Sequence, residues 1–102
     1  MFARVTTFTG PPEHIEEGLR LYRDGALPWL RDASGFRGFL GLVGGGGERS
    51  IGITFWATRE AATDAAESGR ELRRQVVEGL GLTMETLEIL EVAVAEDIDL
   101  EE

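Results

Sequence analysis

The chain has 102 residues, 42% of them hydrophobic and 28% charged, which is the composition of a single soluble globular domain with an ordinary core. It contains no cysteine, which excludes disulfides, iron–sulfur clusters, cysteine zinc sites and a thiol nucleophile. The formal charge of −9 disfavours binding to nucleic acid and to an anionic membrane surface.

A strand and an amphipathic helix are predicted first. Phe2–Phe8 combines β-branched and aromatic residues, and the Gly-Pro-Pro sequence at 10–12 ends this strand. Pro28 lies inside the helix that follows, so we expect a kink or a separate last turn before the helix ends at Ser34 and Gly35. The helix itself is predicted from an apolar stripe at helical spacing, formed by Ile15, Leu19, Tyr22, Ala26 and Leu30.

A β-hairpin is predicted in the middle of the chain. Its strands are Phe36–Val43 and Arg49–Ala57, and the glycine run Gly44–Gly47 joins them as a flexible turn. This run precedes a strand and lacks a lysine, so it does not fit a phosphate-binding loop. Residues of the second strand alternate between two faces, with Ile51, Ile53 and Phe55 on one and Ser50, Gly52, Thr54 and Trp56 on the other.

A second helix and a fourth strand complete the predicted domain. Thr58 is the expected N-cap of the helix, and Ser68 with Gly69 predicts a break in its middle. The last strand is expected over Thr83–Ala95. We therefore predict one domain over residues 1–96 and an acidic C-terminal tail over residues 97–102.

The element order β-α-β-β-α-β predicts an α+β fold, the ferredoxin-like arrangement with a four-stranded antiparallel sheet. Its helices cover only one face of the sheet, whereas the strands carry apolar residues on both faces. In the predicted strand Phe36–Val43, the apolar residues Phe39 and Val43 lie on one face, and Leu40 and Leu42 lie on the other. Because a large apolar patch is unusual on a soluble monomer, we expect a second copy of the chain to cover the free face.

Two sequence strings carry a family resemblance. ALPWLRDASGFRGFL (26–40) combines a helix end containing proline with a Gly-Phe strand start, and ITFWATREAA (53–62) combines a strand ending in tryptophan with a helix start rich in charge and alanine. Linked by the glycine-rich hairpin, they resemble the antibiotic biosynthesis monooxygenase family of the dimeric α/β-barrel superfamily. The resemblance extends from Phe2 to Glu96 and implies a homodimeric α/β barrel.

One branch of this family forms quinones from polyphenolic polyketides without a cofactor, and it uses a Trp, an Arg, an Asn and a Tyr. Trp56 matches the tryptophan, and Arg73 matches the arginine in the string Glu-Leu-Arg at 71–73. The resemblance implies that these two residues are catalytic. The Asn position contains Gly52 and the Tyr position contains Ala62, so a binding role without catalysis stays open.

The haem-degrading branch of the family uses an Asn in the first strand and a Trp and a His on the second helix. The matching positions contain Ala3, Ala65 and Gln75, so the resemblance does not imply haem degradation. His14 is the only histidine, and one histidine without cysteine does not make a zinc site. We therefore expect neither a cofactor nor a metal.

Each candidate site residue has a structural alternative. Trp56 would either line a pocket for a planar substrate or anchor the core between strand and helix. Arg73 would either bind a phenolate or another oxyanion, or belong to a solvated ion-pair surface with Arg74 and Glu71. Tyr22 would either point its hydroxyl into a cavity or pack in the core.

The expected pocket lies between the helices and the sheet within one subunit. Ala62 and Ala65 have small side chains that leave room for a substrate beside Tyr22. We predict a cytoplasmic, monooxygenase-like homodimer that binds a small aromatic or polycyclic metabolite and oxidises it with dioxygen without a cofactor. The alternative is a non-catalytic ligand-binding or structural homodimer. We expect neither nucleic acid nor membrane as a partner, because the chain is acidic and has no span-length apolar stretch.

Overall fold

The computed structural model describes residues 1–98 and contains one four-stranded antiparallel sheet. The strands follow the order β2-β3-β1-β4. The element order is the predicted one, so the α+β ferredoxin-like fold is confirmed. The strands are β1 (Phe2–Thr9), β2 (Phe36–Gly44), β3 (Arg49–Trp56) and β4 (Thr83–Glu91).

Two helical stretches pack on the same face of the sheet, which we call the inner face. The first contains α1 (Pro12–Leu21), a π-helical turn (Tyr22–Ala26) and α2 (Leu27–Arg31). The second contains α3 (Arg59–Ser68) and α4 (Arg70–Leu80). The opposite side of the sheet, which the helices do not cover, is called the outer face.

Local sequence signals set the helix ends at the predicted places. The Thr58 hydroxyl accepts a hydrogen bond from the Ala61 amide at 3.1 Å and caps α3. Gly69 separates α3 from α4, which confirms the predicted break. Gly81 ends α4 with a φ of 64°, the left-handed conformation in which glycine is favoured.

The predicted disturbance at Pro28 takes the form of the π-helical turn immediately before α2. Proline has no amide hydrogen, and its ring crowds the carbonyl four residues earlier, which here belongs to Asp24. The helix is wider at this point, and Tyr22 and Ala26 face the interior between helix and sheet. π-Helical turns of this kind are frequent at functional sites.

The β2–β3 connection is a short 3₁₀ turn over Gly45–Gly47. All three glycines have positive φ angles of 62°, 71° and 93°, which residues with a side chain rarely adopt. The Gly10 amide donates a hydrogen bond to the Glu48 carbonyl at 3.0 Å. The hairpin is therefore attached to the loop that precedes α1.

The fourth strand is shorter than predicted, since it ends at Glu91 and not at Ala95. Glu91 pairs with Phe2, the first residue of β1, and the next amide, that of Val92, donates to the Met1 carbonyl at 2.9 Å. The pairing of β4 with β1 ends here, so the apolar pattern beyond this point does not extend the sheet. Of the predicted tail over 97–102, residues 99–102 lie outside the described residues.

The core is packed where α2, α3 and the end of β3 meet. Trp56 is fully buried there with Leu30, Ala62 and Ala65. The Phe36 ring packs edge-to-face on Trp56 with ring centroids 5.4 Å apart. Trp56 therefore anchors the core between strand and helix, which was the structural alternative to its predicted role in a pocket.

The two faces of the sheet differ in an unusual way. Its helix-covered inner face carries four buried polar residues: Arg4, Thr6, Ser50 and Thr54. On the outer face, Leu40, Leu42 and Leu90 are 41%, 47% and 46% exposed. An antiparallel sheet with one solvated face normally keeps its polar side chains on that face. The polar residues under the helices therefore need a different explanation.

Candidate ligand-binding site

A cavity of about 390 Å³ lies between the helices and the inner face of the sheet. This volume is in the range of small-molecule sites, which are mostly apolar and contain a few placed polar groups. Strands β1, β2 and β3 form its floor with Arg4, Thr6, Phe8, Phe39, Ser50, Gly52 and Thr54. The helices form its walls, which include Ile15, Leu19, Tyr22, Ala26, Trp29, Leu30, Leu72, Arg73, Val76 and Val77.

Small residues on the central strands create the space in the floor. Gly52 lies opposite Thr6 in the β1–β3 pairing, and Thr54 lies opposite Arg4. A side chain at Gly52 would project towards the Phe39 ring, which is 3.8 Å from the position of its Cβ. Since protein interiors are otherwise closely packed, a row of such short side chains leaves volume that a ligand can fill.

Arg4 places a buried positive charge in this floor. It is only 7% exposed, and none of the ion pairs among residues 1–98 includes it. Burial lowers the pKa of Arg4, and the adjacent Tyr22 hydroxyl acts in the opposite direction. A guanidinium is not deprotonated in proteins, so Arg4 remains a cation inside the cavity.

Tyr22 supplies an aromatic wall next to that charge. Its ring stacks on Phe39 with centroids 4.9 Å apart and an angle of 26° between the planes. Burial raises the pKa of Tyr22, whereas the positive charges of Arg4 and Arg73 lower it. The hydroxyl is protonated at neutral pH and is available as a hydrogen-bond donor or acceptor.

Arg73 brings a second guanidinium into the cavity from α4. It is partly buried and donates a hydrogen bond to the Ala66 carbonyl at 3.3 Å. Burial lowers the pKa of Arg73, and the neighbouring charge of Arg4 lowers it further. The structural alternative for Arg73 was a solvated ion-pair surface. In the structure that surface is formed by the next residue, Arg74, which is in ion pairs with Glu71 and Glu78.

Three of the predicted site residues do not line this cavity. The Trp56 indole donates a hydrogen bond to the Thr54 hydroxyl at 2.8 Å, and the indole is fully buried in the core. Ala62 and Ala65 pack in the same core cluster and are 0% and 6% exposed. These three side chains contact each other in the core, so the structure does not place them on the walls of this cavity. The structure brings Tyr22 and Arg73 together at the cavity and leaves the other three in the core.

Arg4 and Trp29 are among the cavity residues that sequence reasoning missed. Arg4 falls in the row Phe2, Arg4, Thr6, Phe8 along one face of β1, and a charge in a row of mainly core-facing positions was the signal that could have found it. Trp29 lines the cavity and is 49% exposed, which places it at the opening. Its signal was an aromatic residue directly after the helix-breaking Pro28.

The cavity residues do not fit a haem or a metal. His14 is exposed on α1 beside Gly81 and outside the lining, so no imidazole faces the cavity. The lining contains no histidine, cysteine or methionine, and the Tyr22 hydroxyl, the remaining group of a type that ligates haem iron, lies beside the positive charges of Arg4 and Arg73, which disfavour a further cation. Among residues 1–98, no three His, Asp or Glu side chains cluster in a way that could hold a metal ion. None of the helices in the described part is long and apolar enough to cross a membrane.

The fold is shared with several solved oxygenases. SnoaB from Streptomyces nogalater, a cofactor-independent oxygenase, is 20% identical with a TM-score of 0.69 over 95% of this chain and 97% of that one. A monooxygenase from the gene ActVA-Orf6 of Streptomyces coelicolor, solved with nanaomycin D, is 16% identical with a TM-score of 0.65 over 94% and 92%. The haem-degrader MhuD from Mycobacterium tuberculosis, solved with two haems in its active site, is 21% identical with a TM-score of 0.68 over 94% and 99%.

These similarities confirm the sequence-based resemblance to antibiotic biosynthesis monooxygenases at the level of the fold. The same fold is used by proteins with different chemistry, so the fold alone does not assign an activity. No protein-family model and no curated protein sequence matches the chain. An activity must therefore be argued from the residues of the cavity.

Proposed function

We propose that this protein binds a small aromatic or polycyclic metabolite in the cavity between its helices and the inner face of its sheet. The observation that carries the proposal is a polar floor under largely apolar walls: Arg4, Thr6 and Thr54 are buried beneath the helices, at a place where a core would be apolar. Buried polar groups are costly unless they have partners. Thr54 already has the Trp56 indole as a partner, so a ligand with polar substituents on a flat apolar body would supply partners to Arg4 and Thr6, and its apolar body would pack against the walls.

The stacked pair Tyr22 and Phe39 supports a planar ligand. Two neighbouring aromatic rings favour the stacked or edge-on packing of a further ring. A solved relative contains the ligand nanaomycin D, and another is described as a cofactor-independent oxygenase. The stacked rings, together with the relative that binds a small molecule, make an aromatic or polycyclic metabolite the first class of ligand to test.

Oxidation of the ligand by dioxygen, without metal or flavin, is the enzymatic form of the proposal. In such chemistry the substrate supplies the electrons, and the protein contributes an enclosed cavity and polar anchors. Arg73 lines the cavity, and in this proposal its guanidinium stabilises a phenolate, which is the electron-rich form of a phenol. Trp56 acts on the cavity only through its hydrogen bond to Thr54, so its proposed role is to position that hydroxyl.

A binding role without catalysis is the second candidate, and two observations favour it. The positions that match the catalytic Asn and Tyr of the quinone-forming branch contain Gly52 and Ala62. The indole N–H of Trp56 is already used by Thr54 and does not reach a ligand. Measuring dioxygen uptake with an anthrone, whose central ring can be oxidised to a quinone, separates the two candidates. Uptake above the uncatalysed rate supports the enzyme, and binding without uptake supports the non-catalytic protein.

A native mass spectrum of the purified protein tests the binding proposal. We expect a retained small molecule in the wild type and its loss in Gly52→Leu, whose side chain would fill the floor of the cavity. Gly79→Leu is the matched control, because Gly79 is exposed on α4 and a Cβ there meets nothing within 4 Å. The proposal fails if the wild type retains no ligand and also binds no added aromatic probe.

We also propose that the protein is a homodimer joined through the outer face. Leu40, Leu42 and Leu90 leave apolar surface exposed on that face, and a second copy would remove it from water. In this arrangement the outer face is used by the interface, and each subunit keeps its own cavity under its helices. Location in the cytoplasm stays a prediction from the sequence.

A further inference from the structure

Resting on the proposed function, we infer that the ligand carries an ionised acid group and that Arg4 and Arg73 bind it together. Arg4 contributes the specificity for that anion from the floor of the cavity, and Arg73 contributes a second guanidinium from the wall. The aromatic body of the ligand lies along Tyr22 and Phe39. The substrate or ligand class is therefore an aromatic or polycyclic acid.

The distribution of ion pairs is the first argument. Four arginines on the helix surface are in ion pairs with nearby acids: Arg20 with Glu17, Arg23 with Asp24, Arg70 with Glu67, and Arg74 with Glu71 and Glu78. The exposed Arg31, Arg49 and Arg59 are in none of these pairs, but they are hydrated by solvent. The two arginines that face the cavity are in none of the ion pairs found among residues 1–98. In a chain with 19 acidic residues and a net charge of −9, the cavity is thus a place from which carboxylates are excluded and in which positive charge is concentrated.

The cost of this arrangement is the second argument. Arg4 is only 7% exposed and is in none of the ion pairs of the described residues, so its guanidinium has lost part of its hydration without gaining a counter-ion. The guanidinium does not escape this cost by losing its proton. Arg73 lies close enough for the two positive charges to disfavour each other. A bound anion would relieve both effects, and Tyr22 cannot provide one because burial keeps its hydroxyl protonated.

The geometry of the donors is the third argument. A guanidinium presents a planar fork of N–H donors that matches the two oxygens of a carboxylate, whereas a neutral phenol offers one uncharged oxygen. The Arg4 guanidinium interacts with the Tyr22 hydroxyl, and Arg4 pairs with Thr54 across β1 and β3. An acid group at this point would accept from Arg4 and Arg73 and leave the Tyr22 hydroxyl free to donate to it as well. The apolar walls beyond Arg4 would hold the rings.

A matched pair of fluorescent probes tests this inference on the full chain. 8-Anilinonaphthalene-1-sulfonate and N-phenyl-1-naphthylamine share one ring system, and only the first carries an acid group. We expect the wild type to bind the sulfonate at least about ten-fold more tightly, the size of one charge-assisted hydrogen bond. Arg4→Met and Arg73→Met should each remove most of this preference, because each should weaken the binding of the sulfonate much more than the binding of the neutral amine. Arg31→Met, which removes an exposed charge outside the lining, should retain it.

The outcomes separate this inference from the proposed function. Equal affinity of the wild type for both probes, or a preference that survives both variants, overturns the anion site and leaves the cavity as a neutral aromatic site. If neither probe binds, the proposed function fails as well. Binding of the sulfonate that persists in Gly52→Leu places it on another surface and also overturns the inference. If Arg4→Met does not fold, the probe preference of the wild type and that of Arg73→Met still decide the question. Arg73 is only partly buried, so we expect its replacement to leave the fold intact.

Discussion

Thr54 connects the core of the molecule with its cavity. Its hydroxyl accepts the hydrogen bond from the Trp56 indole, and its side chain lines the floor beside Arg4. A hydroxyl has one hydrogen to donate in addition to its accepting lone pairs, so Thr54 can still donate to a ligand. At the scale of single residues, the inner face of β3 therefore changes from core packing at Trp56 to a polar binding surface at Thr54, only two residues away.

Trp56→Ala should lower the free energy of unfolding by about 3–5 kcal/mol, the usual cost of removing a large aromatic side chain from a core. Trp56 is fully buried and packs against Phe36 and Leu30. Trp29→Ala is the control, because Trp29 is half exposed and should cost much less. Urea denaturation followed by circular dichroism measures both. An unchanged stability of Trp56→Ala would show that the core assignment is wrong.

Tyr22 should ionise above the usual pKa of tyrosine, because burial raises its pKa more than the nearby arginines lower it. It is the only tyrosine, so the absorbance of tyrosinate reports its titration directly. We expect a midpoint above about 10 in the folded protein and near 10 in denaturant. Arg4→Met should raise the folded midpoint further, since the Arg4 charge favours tyrosinate. A folded midpoint below that of the denatured chain would contradict this environment.

The same shift links stability to alkaline pH. Because the folded state holds the Tyr22 proton more tightly, the unfolded chain loses it first as the pH rises. The contribution of Tyr22 to the free energy of unfolding is fully present below about pH 10, and it is lost as the pH rises from about 10 through the pKa of Tyr22 in the folded state. In Tyr22→Phe, this part of the loss of stability at alkaline pH should be absent.

At the scale of elements, the sequence predicted nearly every helix and strand because local signals set their ends. The Thr58 cap, the Gly69 break and the proline-induced disturbance are properties of a few neighbouring residues. The end of β4 was wrong because it depends on where β1 begins, which is a contact between the two ends of the chain. An alternating pattern alone cannot tell where the partner strand stops.

The candidate site was less predictable than the fold for a related reason. The sequence analysis placed the pocket between helices and sheet but assigned its space to Ala62 and Ala65. Small side chains leave a cavity only when nothing else fills the volume, and here Trp56 fills it. Arg4 was overlooked because the face of β1 that the helices cover is set by the packing of the whole domain.

Glycines in and after α4 give an element-scale prediction. Gly79→Ala should raise the free energy of unfolding by about 0.5–1 kcal/mol, because alanine favours the helix and a Cβ meets nothing within 4 Å. Gly81→Ala should lower it, since Gly81 has a φ of 64° that disfavours a side chain. Thermal denaturation of the two variants measures the pair. If both variants changed the melting temperature by similar amounts in the same direction, the assigned end of α4 would be contradicted.

At the scale of the whole molecule, the outer face predicts the oligomeric state. Light scattering at micromolar concentration should give twice the mass of one chain, because a dimer covers the exposed leucines. Leu42→Glu, which places a charge on that face, should shift the protein towards the monomer. Gln75→Glu adds the same charge on the exposed side of α4 and should leave the dimer intact. A wild-type protein with the mass of one chain would contradict the dimer.

The central claim is that the cavity under the helices, and not the exposed apolar face, is where a small molecule binds. The two surfaces have different amides, so a ¹H–¹⁵N correlation spectrum during titration with N-phenyl-1-naphthylamine tests the claim most directly. We predict that the shifted resonances belong to Tyr22, Gly52, Thr54 and Gly69, which line the cavity. Shifts confined to Leu40, Leu42 and Leu90 on the outer face, with the cavity residues unchanged, would contradict it.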